Sequence, residues 1–167
     1  MAQIGSVIGR EFSYDLLARV VGKPKPDFQL ALDDLVAAGL LFRHGLPPDA
    51  VYLFKHALLR DAAYSTLLRN RRQELHRRIV CVLRQDFPEL VVTQPELLAQ
   101  HCSEGGMVFD AVEYYFLASR RATAALNTVE ASAHLRRGRS LVDQLPSSEP
   151  RKVQLLQRFV MGGRWWS

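Results

Sequence analysis

Cysteine is scarce in this chain: two among 167 residues, Cys81 and Cys102, with no Cys-x-x-Cys or Cys/His zinc spacing around them. A disulfide framework and a closed tetrahedral metal shell are therefore not what organises the fold, and buried reduced thiols are expected. Long apolar runs are missing as well. The longest, residues 35–42 with Gly39 included, falls far short of the roughly 20 residues that cross a bilayer. The start, Met1-Ala2-Gln3-Ile4-Gly5, has neither the basic nor the apolar region of a secretory leader. A cytoplasmic protein without membrane contact is expected. No Gly-x-x-x-x-Gly-Lys-[Ser/Thr] phosphate loop and no Gly-x-Ser-x-Gly elbow occurs, which removes the two commonest readings of a nucleotide hydrolase or a serine hydrolase. Ser65, His76, Asp61 and Asp86 supply hydrolase residue types without such a frame. Asp33 and Asp34 are sequential, so on a helix they diverge by about 100°. The chain is expected not to be an enzyme, with no catalytic, metal or resident cofactor residues.

What is present is positive charge. The formal net charge is +5, and it is unevenly placed. Arg69, Arg71, Arg72, Arg77 and Arg78 crowd one stretch opposed by Glu74 alone, and pairs recur at Arg120-Arg121 and Arg136-Arg137. Most lie off the apolar stripes, as on a solvated, salt-bridging helical face. The alternative is a docking surface for an acidic partner, with Arg71, Arg72, Arg77 and Arg78 as its candidates, or weak nonspecific nucleic-acid binding.

Periodicity organises the rest. Residues 2–8 read as a helical stub. Ser13 is placed to cap a helix bearing Leu16, Leu17, Val20 and Val21, closed by Gly22. Lys23-Pro24-Lys25-Pro26 is a turn. Asp27 reads as the cap of a second helix, with Phe28, Leu32, Leu35 and Val36 at helical spacing and Gly39 as its stop. The period then changes. Leu40-Leu41-Phe42-Arg43 and Val51-Tyr52-Leu53-Phe54 flank a turn-rich segment and read as a β-hairpin. Helix, turn, helix, hairpin is the order of a winged helix. Helices follow at 55–69 (Leu59, Ala63, Leu67 and Leu68 on one side) and 71–87 (Leu75, Ile79, Val82, Leu83), ended by Pro88. Another opens at Pro95 and stops at Gly105-Gly106. Residues 108–125, carrying Ala111, Val112, Tyr115, Ala118 and Ala122, are followed by a capping-box pair, Asn127 and Glu130, and by Ala131, Leu135, Gly138 and Val142. Small residues on facing sides suit two closely packed antiparallel helices, the build of one helical-repeat unit. A third helix is expected from about Glu149 to Met161.

The fold class expected is thus mainly α: a winged helix of helices plus one β-hairpin at 2–54, a linking helical segment at 55–104, and an antiparallel, tetratricopeptide-like array at 108–161, with an aberrant tail at 162–167. The second helix, the natural DNA reader of a winged helix, carries Asp27, Asp33 and Asp34 and no Lys or Arg. Phosphates would be repelled, so specific DNA binding is not favoured.

As a set, Ile8-Gly9-Arg10-Glu11-Phe12, Leu35-Val36-Ala37-Ala38-Gly39-Leu40-Leu41, Tyr52-x-Phe54-Lys55-His56-Ala57-Leu58-Leu59-Arg60-Asp61-Ala62-Ala63-Tyr64, Leu75-His76 and Ala131-x-x-His134-Leu135-Arg136-Arg137-Gly138 resemble the region after the ATPase core in bacterial multidomain signal-transduction ATPases, of the AAA/STAND type linked to adenylate/guanylate cyclase domains. The resemblance covers residues 2–160. It implies a non-catalytic regulatory segment that couples nucleotide state to a repeat array binding a protein partner. ATP or ADP would belong to the missing core. Related members carry a Met-His-Asp triplet whose histidine approaches the ADP phosphate. Here Lys55-His56-Ala57 stands in its place: His56 matches, as a possible ADP-phosphate sensor, and Ala57 replaces the carboxylate. With neither core nor cyclase domain present, a truncated product is the expectation. The alternative is a small winged-helix transcription regulator.

Overall fold

The computed structural model describes residues 1–22 and 27–162, with side chains to residue 159. It is mainly helical, with ten helices and one small antiparallel sheet among the described residues. None of these helices is long and apolar enough to cross a membrane. The chain forms two compact units, Met1–Phe87 and Pro88–Ser167.

In the first unit the order is α1 (Ala2–Ile8), β1 (Glu11–Ser13), α2 (Tyr14–Val21), α3 (Asp27–Ala37), β2 (Leu41–His44), β3 (Val51–Phe54), α4 (Ala57–Ser65) and α5 (Arg69–Asp86). The sheet has strand order β1-β3-β2. Pairing sets Phe12 opposite Tyr52 and Leu41 opposite Phe54. All four are buried, because side chains two apart on β3 share a face and cross-strand partners join them there. Phe12 stacks on Tyr52 with centroids 5.8 Å apart and meets Phe54 edge-on at 6.0 Å. The hairpin read from sequence thus gains a third strand. β1 is three residues long with one buried side chain, too short to show a period.

Ser13 caps α2, its Oγ accepting from the Leu16 N–H at 3.1 Å, and Gly22 closes it with a positive φ of 94°. Asp27 is the first residue of α3 rather than its cap; the expected turn at residues 23–26 lies outside the described residues. Phe28 and Leu32 are buried, whereas Leu35 and Val36 are half-buried. The expected helix 55–69 is shorter, because the chain turns between Ser65 and Arg69. Leu67 goes into the core and Leu68 stays 80% exposed, so the two do not share a face. Arg72 holds this turn: its Nε donates to the Leu67 carbonyl at 2.8 Å and its Nη2 to that of Ser65 at 3.0 Å. The Ser65 carbonyl is one that a helix end leaves without an intrahelical donor, and the Leu67 carbonyl lies in the turn itself. Helices α4 and α5 pack on α1, and α5 also packs on α2. The compact unit therefore runs through α5.

The second unit holds α6 (Pro88–Thr93), α7 (Pro95–Glu104), α8 (Val108–Ala124), α9 (Thr128–Asp143) and α10 (Pro150–Gly162). α6 is short and was not legible in the sequence. α7 packs on α8, α8 on α9 and α9 on α10. Connections of three residues at 105–107 and 125–127 fold successive helices back on one another. The small residues expected at the α8–α9 contact, Ala111, Ala118, Ala122, Ala131 and Gly138, are buried. A Cβ on Gly138 would meet the Tyr115 Cβ at 3.3 Å and the Phe159 ring at 3.2 Å, so the absent side chain sets the helix spacing. Asn127 caps α9 through Oδ1 to the Glu130 N–H, and its Nδ2 donates to the Glu130 carboxylate.

Three helices end in the same hydrogen-bond pattern. Gly39 N–H reaches Val36 O and Leu40 N–H reaches Leu35 O; Gly106 pairs with Ser103 and Met107 with Cys102; Leu126 pairs with Thr123 and Asn127 with Ala122. This is the Schellman closure, whose C′ residue is left-handed and usually glycine. Two of the three obey that preference. The third places Leu126 at φ 59°, where an L-residue with a Cβ costs roughly 1–2 kcal/mol.

A test of the packing in the first unit lies at Gly5 in α1. A Cβ there would stand 2.8 Å from two atoms of the Phe12 ring, which the aromatic stack prevents from moving. Alanine gains about 1 kcal/mol in helix propensity, but overpacking costs about 1–3 kcal/mol. Gly5→Ala should therefore lower stability in urea unfolding; a more stable variant would show that Phe12 is free to shift.

Candidate functional site

Strand β3 passes into α4 through Lys55 and His56. The Lys55 N–H donates to the Leu40 carbonyl at 3.1 Å, and its ammonium lies 5.7 Å from the Phe42 ring centroid. His56 is the N-cap residue of α4, with extended φ, ψ of −134° and 142°. Its carbonyl accepts the Leu59 N–H at 3.0 Å, while its side chain makes no capping bond. The imidazole is exposed. The joint is thus fixed in backbone, and its side chain is left at the positive end of a nine-residue helix, where a nearby anion is favoured.

The four candidate arginines do not converge. At about 100° per residue, Arg71 and Arg78 share one side of α5, while Arg72 and Arg77 point elsewhere. Arg71 pairs with Glu74 at 2.7 Å. Arg72 is committed to the α4–α5 turn and lies 4.6 Å over the Tyr64 ring. Arg78 lies against Gly22, close enough that a Cβ there would meet its Nη2 at 2.8 Å. Arg77 is exposed.

Around Tyr64 the sequence concealed a polar cluster. The Tyr64 hydroxyl bonds His76 Nε2 at 3.1 Å. Arg60 donates from Nε to the Ser6 carbonyl at 3.1 Å, tying α4 to α1, and it pairs with Asp61. His76 is buried. Burial, aided by the Arg60 charge, pushes its pKa from 6.5 down to about 4, so it is neutral at physiological pH. The remaining hydrolase-type residues have local partners. Ser65 donates to the Ala62 carbonyl at 2.8 Å, and Asp86 pairs with Arg19 at 3.4 Å. Among the described residues no group of three His, Cys, Asp or Glu is arranged to hold a metal ion.

On α3, Asp33 takes Arg43 of β2 at 2.6 Å, neutralising a cation at the hairpin beside a helix that has none of its own. In the second unit, His134 is buried beside Tyr115, rings 6.2 Å apart. Its Nε2 faces Glu130 at 3.6 Å, and its buried Nδ1 has no hydrogen-bond partner among the described residues. Burial pushes the Tyr115 hydroxyl pKa up. A shallow groove on α9 and α10 is lined by Leu135, Arg136, Arg139, Ser140, Asp143 and Phe159, and the Arg139–Asp143 pair at 3.0 Å lies along it.

No family model matches the chain, and no solved structure matches it. An uncharacterized protein of Rhizobium meliloti (strain 1021) is 28% identical over 168 residues, covering 97% of this chain and 16% of the relative. The chain thus spans about one sixth of the length of the curated relative it matches.

The neutral His76 gives a pH signature. Its folded pKa lies below the unfolded value, so the unfolded chain takes up the proton first. The contribution is constant above pH 6.5, declines as pH falls, and levels off below about 4. The penalty reaches about 3 kcal/mol when fully expressed. Urea unfolding of the wild type and of His76→Gln at pH 7 and pH 4 should show a smaller acid loss in the variant. Equal losses would mean that His76 titrates normally.

Proposed function

We propose that this chain is the relay segment of a multidomain signalling ATPase, of the kind linked to adenylate/guanylate cyclase domains. It carries no catalytic group of its own. In this reading the element order α1-β1-α2-α3-β2-β3, with its β1-β3-β2 sheet, is a winged helix. The stacked helices α7 to α10 are the start of a tetratricopeptide-like array that binds a protein partner. The observation that carries the reading is the joint at His56: a side chain without an intramolecular capping role, held by fixed backbone at the head of α4. An imidazole there is free to donate to the phosphate of ADP in a neighbouring core. The match to one sixth of a longer protein supports a segment that works inside a larger polypeptide. DNA readout is the less favoured role, because α3 presents carboxylates and Asp33 occupies Arg43.

Joined to an ATPase core in a full-length protein, His56→Ala should speed ADP release by about tenfold or more, the worth of one hydrogen bond to a charged group. An unchanged ADP off-rate would remove the sensor role. In a gel shift at physiological salt the chain should retain no specific DNA, and any weak binding should fade as salt rises. Sequence-specific retention would favour the transcription-regulator reading instead.

A further inference from the structure

The turn between α8 and α9 breaks a rule that the chain obeys elsewhere. Gly106 closes α7 by the same hydrogen-bond pattern with a glycine. At the equivalent place after α8 stands Leu126, at φ 59° and 89% exposed. The leucine gains nothing from local packing to offset its backbone. Next to it Val129 is 78% exposed, and Ala124 and Ala125 are exposed as well, so four apolar side chains face out beside the polar cap of Asn127 and Glu130. Arg120 and Arg121 are exposed on the last turns of α8, and neither has an ion-pair partner among the described residues. Strain held at an exposed position is a feature of functional contacts.

We infer that the α8–α9 turn is a docking knuckle for a protein partner whose surface offers an apolar pocket bordered by carboxylates. Leu126 and Val129 enter the pocket, and Arg120 and Arg121 meet its acidic rim. A buried apolar anchor surrounded by complementary charge is how a small surface acquires both affinity and specificity. Two other occupants fit less well. A second copy of the chain, meeting this patch through a two-fold axis, would bring the two arginine pairs together. An anionic membrane is usually held by clusters of four to eight basic residues, whereas this tip has two. The inference uses the second unit alone and stands whether or not an ATPase core is the neighbour of the first.

The test pans a random dodecapeptide phage library on the immobilised full chain, with the Leu126→Gly variant for counter-selection. Enriched peptides should combine Leu, Ile, Phe or Trp with flanking Asp or Glu. A synthetic copy of the leading peptide should bind the wild type at least tenfold more tightly than Leu126→Gly, and more tightly than the double variant Arg120→Gln/Arg121→Gln, with affinity falling as salt rises. Leu126→Gly relieves the left-handed strain, so it should unfold at a temperature higher by about 2–4 °C, which separates lost docking from lost folding. The inference is overturned if no peptide is enriched, if peptides bind the variant equally, if they lack acidic residues, or if the variant melts lower. Leu126-dependent binding to vesicles of phosphatidylserine and phosphatidylcholine would reassign the knuckle to lipid. Leu126-dependent self-association in analytical ultracentrifugation would reassign it to a second copy.

Discussion

The first unit turns on the aromatic stack at Phe12. This side chain is the one fully inward residue of β1, and it lies flat on Tyr52 of the central strand. The same ring presses against Gly5, where no Cβ fits. One aromatic side chain therefore ties α1, the edge strand and the central strand together. Helix α1 is then available to receive α4 and α5, and Arg60 reaches from α4 to the Ser6 carbonyl one residue beyond Gly5. A close helix–sheet approach through a glycine is why a short stub of helix can support so much of the unit.

A similar economy governs the second unit. Gly138 brings α9 against Tyr115 of α8 and against Phe159 of α10, so one missing side chain sets two helix contacts. Around it Val112, Val142 and Leu155 form a small buried cluster, flanked by the tilted pair Phe116 and Phe159 at 4.5 Å. Arg158 lies over Phe116 and pairs with Glu113. The helices are held by contact at small residues in the middle and by larger, charged side chains at the margins.

Where helices end in glycine, proline or a polar cap, the sequence was informative. Ser13, Gly22, Gly39, Pro95, Gly105-Gly106 and Asn127 all mark ends that the structure places within a residue or two. Elsewhere the local signal was missing or misleading. β1 is below the length at which alternation can be seen. The α4–α5 turn carries no glycine or proline, and its stability comes from an arginine three residues into the next helix. The cluster of Tyr64, His76, Arg60 and Arg72 is assembled across two helices, and the period of each helix alone does not show which of their side chains meet. Leu126 was invisible for the opposite reason: a residue that violates a turn preference gives no local sign of the turn. His56 was legible as a position, and its exposure and lack of a capping bond came from the structure.

The basic charge illustrates how composition can mislead. A net charge of +5 and a run of arginines suggest a surface for polyanions, yet a guanidinium is also a planar donor that serves carbonyls and covers aromatic rings. Arg60 and Arg72 both lie near Tyr64, at 5.7 and 4.6 Å from its centroid, and both donate to main-chain carbonyls. Arg19 pairs with Asp15 and Asp86 and lies over Phe87. Arg43 is taken by Asp33. Each of these arginines is held by an interior or near-neighbour partner, so the charge they add to the total does not describe a binding face. A charged surface has to be read from cations left without such partners. By that criterion Arg120 and Arg121, near the C-terminal end of α8, carry more information about recognition than Arg71 and Arg72 of α5, which are already engaged.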